Sequence, residues 1–112
     1  MREINSELLK EITDKIVSNF NPYKIILFGS YAYGQPKKGS DLDFFIIKDS
    51  DLPRHKRSID IRKLFYGYLI PMDILVYTKQ EVDYWKDVKC SFVHRVMKKG
   101  KVIYEQKDPA CK

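Results

Sequence analysis

Apolar residues recur every three or four positions near the start of the chain, over residues 4–20. This spacing predicts an amphipathic α-helix with one buried face. The face consists of Ile4, Leu8, Ile12, Ile16 and Phe20. The Asn21-Pro22 pair that follows predicts the end of the helix, because the residue before a proline avoids helical backbone angles.

Short runs of β-branched and aromatic residues predict three buried strands. They cover residues 23–28, 41–48 and 71–77, and a fourth run at 101–105 predicts a short edge strand. The connecting segments predict helices. These are one turn at Ser30–Gly34, a helix over 54–68, a helix that begins at the Thr78–Glu81 capping box, and a helix over 91–100.

The resulting order, α-β-α-β-α-β-α-α, predicts an α/β (α+β) fold with a small sheet covered by helices. The chain has 112 residues, which is the size of one domain. We expect that single domain to cover residues 1–104, followed by a flexible tail over 105–112.

Charge is distributed unevenly along the chain. The formal net charge is +6, and all of it falls in residues 51–112. A basic half is typical of a protein that binds an anionic ligand or partner, although a solvated lysine-rich surface explains the charge equally well. No apolar run is long enough for a membrane span, and the N-terminal residues do not resemble a signal peptide. We therefore expect a cytoplasmic protein with no membrane partner.

Three aspartates lie on predicted strands. Asp41 and Asp43 alternate along one strand and so project from the same face. Asp73 interrupts an otherwise apolar strand, where an unpartnered charge would be costly. If the two strands are neighbours, the three carboxylates form a site for one or two Mg²⁺ ions, with Mn²⁺ as another possible occupant.

A Gly29-Ser30 turn precedes these aspartates. The glycine lets the backbone approach a ligand closely, and Ser30 opens a short helix whose amides can face phosphates. Gly29 and Gly34 have the spacing of a Walker A loop, but Gln35-Pro36 stands where that loop requires Lys-Ser/Thr. The turn is therefore not a P-loop.

Gly29-Ser30, ten further residues and then Asp41-x-Asp43, with Asp73 on a later strand, resemble the minimal nucleotidyltransferases (MNT) of the DNA polymerase β-type superfamily. The resemblance extends from the first helix to about Tyr104. It implies a mixed three-stranded core sheet of order 1-2-3. It also implies transfer of a nucleoside monophosphate, with AMP from ATP as the expected donor chemistry, to a hydroxyl.

The resemblance also implies roles for individual residues. Asp41 and Asp43 would bind two Mg²⁺ ions, and Asp73 would bind the catalytic ion and help activate the nucleophile. Gly29 and Ser30 would hold the triphosphate. Among the basic residues after the second strand, Arg57 is our candidate for a further nucleotide contact, although a solvated helix face also explains these residues.

The acceptor is less well determined. We expect no acceptor-binding extension in this chain, so a partner protein would supply the hydroxyl. Within the MNT branch this implies an antitoxin that adds AMP to a tyrosine of a HEPN-type toxin encoded next to it. The alternatives are transfer to a small molecule or an RNA end, and an antitoxin that acts by binding alone. Nucleic acid is not expected as a direct ligand, because no recognisable nucleic-acid-binding motif is present.

Overall fold

The computed structural model describes residues 6–29, 42–68, 70 and 72–106. The helices are α1 (Ser6–Phe20), α2 (Arg54–Arg57), α3 (Ile59–Lys63), α4 (Lys79–Trp85) and α5 (Phe92–Lys99). The strands are β1 (Lys24–Phe28), β2 (Leu42–Ile47), β3 (Met72–Tyr77) and β4 (Lys101–Glu105).

The strands form one mixed sheet of order β3-β2-β1-β4. β2 is antiparallel to β1 and parallel to β3, while β4 is antiparallel to β1. The predicted α/β class and the core order 1-2-3 are confirmed. The predicted edge strand is confirmed as well, because β4 lies on the outer side of β1.

Alternation along β2 separates two apolar layers. Leu42, Phe44 and Ile46 pack with α1 and α3 on one face. Phe45 and Ile47 pack with α4 and α5 on the other. Asp43 belongs to this second face, since side chains two positions apart project on the same side of a strand.

The predicted capping box begins α4 as expected. The Thr78 side chain accepts a hydrogen bond from the Glu81 amide, and the Glu81 carboxylate accepts one from the Thr78 amide. Two backbone donors that a helix start would leave unpaired are thereby satisfied. This arrangement also fixes the Glu81 carboxylate beside the end of β3.

The helix predicted over 54–68 is interrupted. Instead, α2 ends before Ser58, α3 ends at Lys63, and a turn follows in which Gly67 has φ 89°. The two parts have different partners: α3 buries Ile61 with α1, while Arg57 of α2 reaches Glu81 of α4. One continuous, straight helix would have to bury Ile61 against α1 and bring Arg57 to Glu81 at the same time.

The predicted tail begins inside the sheet. Glu105 is the last residue of β4, and the next residue, Gln106, donates its amide to the Tyr23 carbonyl at 2.8 Å. The residues after 106 lie outside the described part, as does the predicted turn of helix at Ser30–Gly34. None of the described helices combines the length and apolar character that crossing a bilayer requires.

Candidate active site

Two of the three predicted metal aspartates are brought together by strand register. Asp43 of β2 is paired directly with Asp73 of β3 in the parallel ladder. Neighbouring strands lie about 4.8 Å apart, and paired residues project on the same face. The sheet therefore places the two carboxylates side by side near the beginning of both strands.

This pair remains open to solvent on one side. The Asp73 side chain is 51% exposed, and Asp43 is half-buried. The helices α4 and α5 cover the far half of the same face, where Phe45 and Tyr77 stack at a centroid distance of 4.9 Å. A ligand can therefore reach the carboxylates without displacing the core.

Gly29 lies against Asp43 at the end of β1. Its φ is 81°, in the region that favours glycine. A Cβ atom at this position would collide with Oδ2 of Asp43 and lie 3.3 Å from its Cγ. Only glycine allows the backbone at the end of β1 and the Asp43 carboxylate to occupy these positions together.

Asp41 and Ser30, the other residues predicted for this site, lie outside the described residues, so their roles stay predictions. In the described ranges no group of three or more His, Cys, Asp and Glu side chains is placed to hold a metal. Even without Asp41, the residues Asp43 and Asp73 provide carboxylate oxygens from two neighbouring strands. That donor set fits Mg²⁺, which prefers oxygen ligands and is commonly held by one or two protein carboxylates together with substrate phosphates.

Arg57, the predicted nucleotide contact, is held by protein partners. Its guanidinium donates to Glu81 Oε1 at 2.6 Å and Oε2 at 3.3 Å, to the Val76 carbonyl at 3.3 Å and to the Leu52 carbonyl at 2.8 Å. Its side chain is only 10% exposed. These contacts give Arg57 a role in joining α2 to β3 and α4, and its nucleotide role stays a prediction.

The same cluster shifts the acidity of Glu81. Partial burial alone would raise the pKa of this carboxyl. The hydrogen bond from Arg57, the Thr78 amide and the positive charges of Arg57 and Arg54 together outweigh burial, and the pKa lies below the ordinary value. Glu81 is therefore ionised at neutral pH and forms a complete ion pair.

Arg62 is a basic residue that reaches Asp73, and sequence reasoning did not select it. Its Nη2 donates to Asp73 Oδ1 at 3.4 Å, and its Nε donates to the Ser58 hydroxyl at 3.2 Å. Helical periodicity placed Arg57 and Arg62 on one predicted helix and gave no way to choose between them. Because the helix is interrupted at Ser58, Arg57 contacts the end of β3 and Arg62 contacts its beginning.

The amino-acid sequence matches a known protein family over most of its length. The family described as Polymerase beta, Nucleotidyltransferase matches residues 10–109. Two proteins of Methanocaldococcus jannaschii, each named as a putative protein adenylyltransferase, are similar along most of their length. One is 33% identical over 88% of this chain and 93% of its own. The other is 32% identical over 86% of this chain and 94% of its own.

Solved structures show the same fold at lower identity. A crystal structure from Sulfolobus solfataricus, described as that of a putative nucleotidyltransferase, superposes with a TM-score of 0.63, covering 89% of this chain and 79% of that one at 22% identity. A chain from a toxin-antitoxin structure with AMP-PNP superposes with a TM-score of 0.59. It covers 88% of this chain and 74% of that one, also at 22% identity.

Proposed function

The chain belongs to the Polymerase beta nucleotidyltransferase family, and from that premise we propose that it moves AMP from ATP to a hydroxyl of a partner protein. The observation that carries the proposal is the register pairing of Asp43 with Asp73, with Gly29 packed against Asp43. This arrangement combines a pair of carboxylates with a glycine at which a ligand can approach the backbone closely. A metal-bound triphosphate requires both.

Asp41, Asp43 and Asp73 would hold Mg²⁺, as two ions. Bound Mg²⁺ would neutralise charge on the attacking and leaving oxygens of an in-line displacement. Gly29 and Ser30 would receive the β- and γ-phosphates. The exposed Asp73 carboxylate, which lies on an edge strand of the sheet, would orient the acceptor hydroxyl and take its proton.

The bond changes balance without another reactant. The acceptor oxygen forms a bond to the α-phosphorus, the bond from that phosphorus to the bridging oxygen breaks, and pyrophosphate leaves. Because the α-phosphoryl group passes directly to the acceptor, the reaction depends on positioning and charge neutralisation. The described residues contribute to both by fixing two carboxylates on a sheet.

A protein acceptor is supported by the names of the Methanocaldococcus jannaschii relatives. A toxin as the partner is supported by the shared fold with a chain of a toxin-antitoxin structure. We propose a tyrosine of a HEPN-type toxin encoded beside this chain as the acceptor. An added AMP would bring negative charge and bulk to that surface and could block its activity.

Intact-mass analysis of the neighbouring protein tests this proposal. The neighbour is co-expressed with the wild-type chain or with Asp43→Asn, and a gain of one or more AMP units only with wild type is expected. An unmodified but inhibited neighbour would favour binding alone. AMP found on an RNA end or a small molecule would favour the other transferase reaction.

Calorimetry tests the metal requirement separately. ATP is titrated into the protein in EDTA and then in Mg²⁺. Affinity should be much weaker in EDTA, because the triphosphate would then meet unneutralised carboxylates. Equal affinity in both buffers would remove Mg²⁺ from the proposal.

A further inference from the structure

A groove runs along the outer side of β3 and leads to the candidate active site. We call it the β3 groove; its volume is about 460 Å³ and its walls include Arg54, His55, Ser58, Arg62 and Leu75. β3 is one edge of the sheet, separated from β1 by β2, so this groove lies on the side away from β1 and Gly29. Gly29 and the β3 groove therefore flank the pair of Asp43 and Asp73 from opposite directions.

Arg62 and Leu75 connect the groove to the aspartates. Arg62 lines the groove and also contacts Asp73. Leu75 follows Asp73 by two positions on the same strand, so both project from the same face. A chain lying in the groove would reach the Asp73 carboxylate without crossing the core.

The charged groups of the groove are mainly basic. Arg54 and Arg62 have side chains 53% and 49% exposed, and the neighbouring His55 is exposed as well. Arg54 lies over the Tyr77 ring, with its Cζ 4.7 Å from the ring centroid, and its Nη1 donates to the Tyr77 hydroxyl at 3.3 Å. Its Nη2 lies 3.9 Å from Glu81, whose carboxylate is already paired with Arg57 at 2.6 Å. Because both arginine side chains are about half exposed, each has N–H groups that can donate to an incoming carboxylate.

The edge itself is closed to strand addition. Ile74 and Val76 are each 2% exposed, and the Val76 carbonyl accepts a hydrogen bond from Arg57. A partner backbone cannot pair there as a further strand, which is a common way for edges to bind peptides. Recognition in the β3 groove must instead come from side chains that meet the two arginines.

We infer that the β3 groove docks an acidic segment of the acceptor protein and so carries its hydroxyl to Asp73. Carboxylates beside the acceptor residue pair with Arg62 and Arg54, while an apolar side chain rests on Leu75. This inference rests on the proposed function, in which the acceptor is a protein hydroxyl. The inference adds that acidic side chains beside the acceptor residue select that acceptor.

Peptide binding without ATP or metal tests the docking step alone. The probe is a fluorescent peptide with a tyrosine flanked by Asp and Glu, compared with the same peptide flanked by Lys. Fluorescence anisotropy should show tighter binding of the acidic peptide, weakening as salt is added. The matched variants are Arg62→Glu and Lys63→Glu, because both reverse one charge at adjacent positions of α3 and only Arg62 lines the groove.

Arg62→Glu should weaken binding of the acidic peptide by about five- to tenfold, the size expected when one half-exposed attraction becomes a repulsion. Lys63→Glu should change it by less than about twofold. His55→Glu, a second groove variant, should also weaken it. Circular dichroism and thermal unfolding establish that each variant is folded.

Several outcomes would overturn the inference. Equal losses in Arg62→Glu and Lys63→Glu would mean that net charge alone attracts the peptide. Equal binding of both peptides, or of neither, would mean that the groove does not select carboxylates. Competition by metal-free ATP would assign the groove to the nucleotide, and equal competition by an RNA oligonucleotide of the same charge would assign it to polyanions in general.

The docking inference and the proposed function can fail separately. An acidic peptide that binds in the groove but gains no AMP with ATP and Mg²⁺ present would keep the docking surface and count against the transfer. AMP transfer with no preference between the two peptides would keep the transfer and overturn the docking surface. Mass spectrometry of both peptides after incubation distinguishes these results.

Discussion

The carboxylates at the two ends of β3 differ in how completely protein groups surround them. At its end, Glu81 receives hydrogen bonds from Arg57 and the Thr78 amide in a largely covered cluster. At the beginning of β3, Asp73 lies beside Asp43, and the contact that it makes within the described ranges is a long one from Arg62 at 3.4 Å. The first arrangement is complete within the protein, and the second leaves oxygens available for a ligand. Substitutions at the two ends should therefore separate loss of activity from loss of stability.

The largest expected effect is at the open end. Asp43→Asn should reduce AMP transfer by about 10³-fold, because it removes a charge that would bind metal while keeping the shape of the side chain. The melting temperature should be retained or raised, since repulsion with Asp73 is relieved. The assays are AMP incorporation and thermal unfolding.

Asp60→Asn is the control for this substitution. Asp60 is a surface carboxylate of α3 whose side chain is 68% exposed beside Lys63. Its variant should keep activity and stability. An unfolded Asp43→Asn protein, or a fully active one, would mean that Asp43 is not a ligand.

Gly29→Ala comes next, with an expected loss in transfer of about 10²-fold, the size associated with displacing a reacting group by roughly 1 Å. The added Cβ would push the Asp43 carboxylate aside. Gly67→Ala is a close control, because Gly67 has φ 89° but no neighbouring heavy atom within 4 Å of an added Cβ.

Both glycine variants should lose about 1–2 kcal/mol of stability from the unfavourable backbone angle. Only Gly29→Ala should lose activity. If the two variants have equal activity, the packing of Gly29 on Asp43 is unimportant for the reaction.

At the closed end, Arg57→Ala should lower the free energy of unfolding by about 2 kcal/mol. It leaves the partly buried Glu81 carboxylate without its main partner, which costs more than losing a surface ion pair. Arg62→Ala, at the open end, should cost about 0.5 kcal/mol or less, because both members of its pair are about half exposed. Urea denaturation measures both variants.

The Arg57→Ala protein also tests the nucleotide role predicted for this residue. ATP affinity in Mg²⁺ is measured where the variant remains folded. An unchanged affinity would assign Arg57 to structure alone, whereas a marked loss with little change in stability would contradict the comparison drawn between the two ends.

The smallest effect is a pH dependence from Glu81. Its pKa is lower in the folded protein than the ordinary value of 4.5. The unfolded chain therefore binds more protons just below that pH, and stability rises with pH through this window. The contribution should be fully present above pH 4.5 and lost as the pH falls through the folded pKa.

Comparison with Glu81→Gln isolates this contribution. The difference in unfolding free energy between wild type and variant should be largest at neutral pH and shrink on acidification. A difference that stays constant, or grows toward acid, would contradict the ionised pair at the closed end.

Patterns within short segments predicted much of this architecture. The alternation in β2 and β3 and the Thr78–Glu81 capping box depend on neighbouring residues, and the structure contains them. The order of the core strands came from the resemblance, since alternation alone does not say which strands are adjacent. The pairing of Asp43 with Asp73 then follows from strand register.

The contact partners of Arg57 and Arg62 could not be predicted from patterns within short segments. Arg57 pairs closely with Glu81, a residue 24 positions later, and Arg62 makes a longer contact with Asp73, 11 positions later. Periodicity describes one helix and is silent about such distant partners. The break at Ser58 also depends on distant residues, because it allows Ile61 to pack against α1 while Arg57 contacts Glu81.

β4 gives β1 a neighbour on each side, whereas β3 has one. A strand bonded on both flanks tolerates few changes, so the segment that presents Gly29 is constrained. The outermost strand and the short helices beside it can vary with less damage to the rest of the sheet. Over evolution, such an arrangement would allow acceptor preference to diversify among relatives while the donor chemistry is inherited intact.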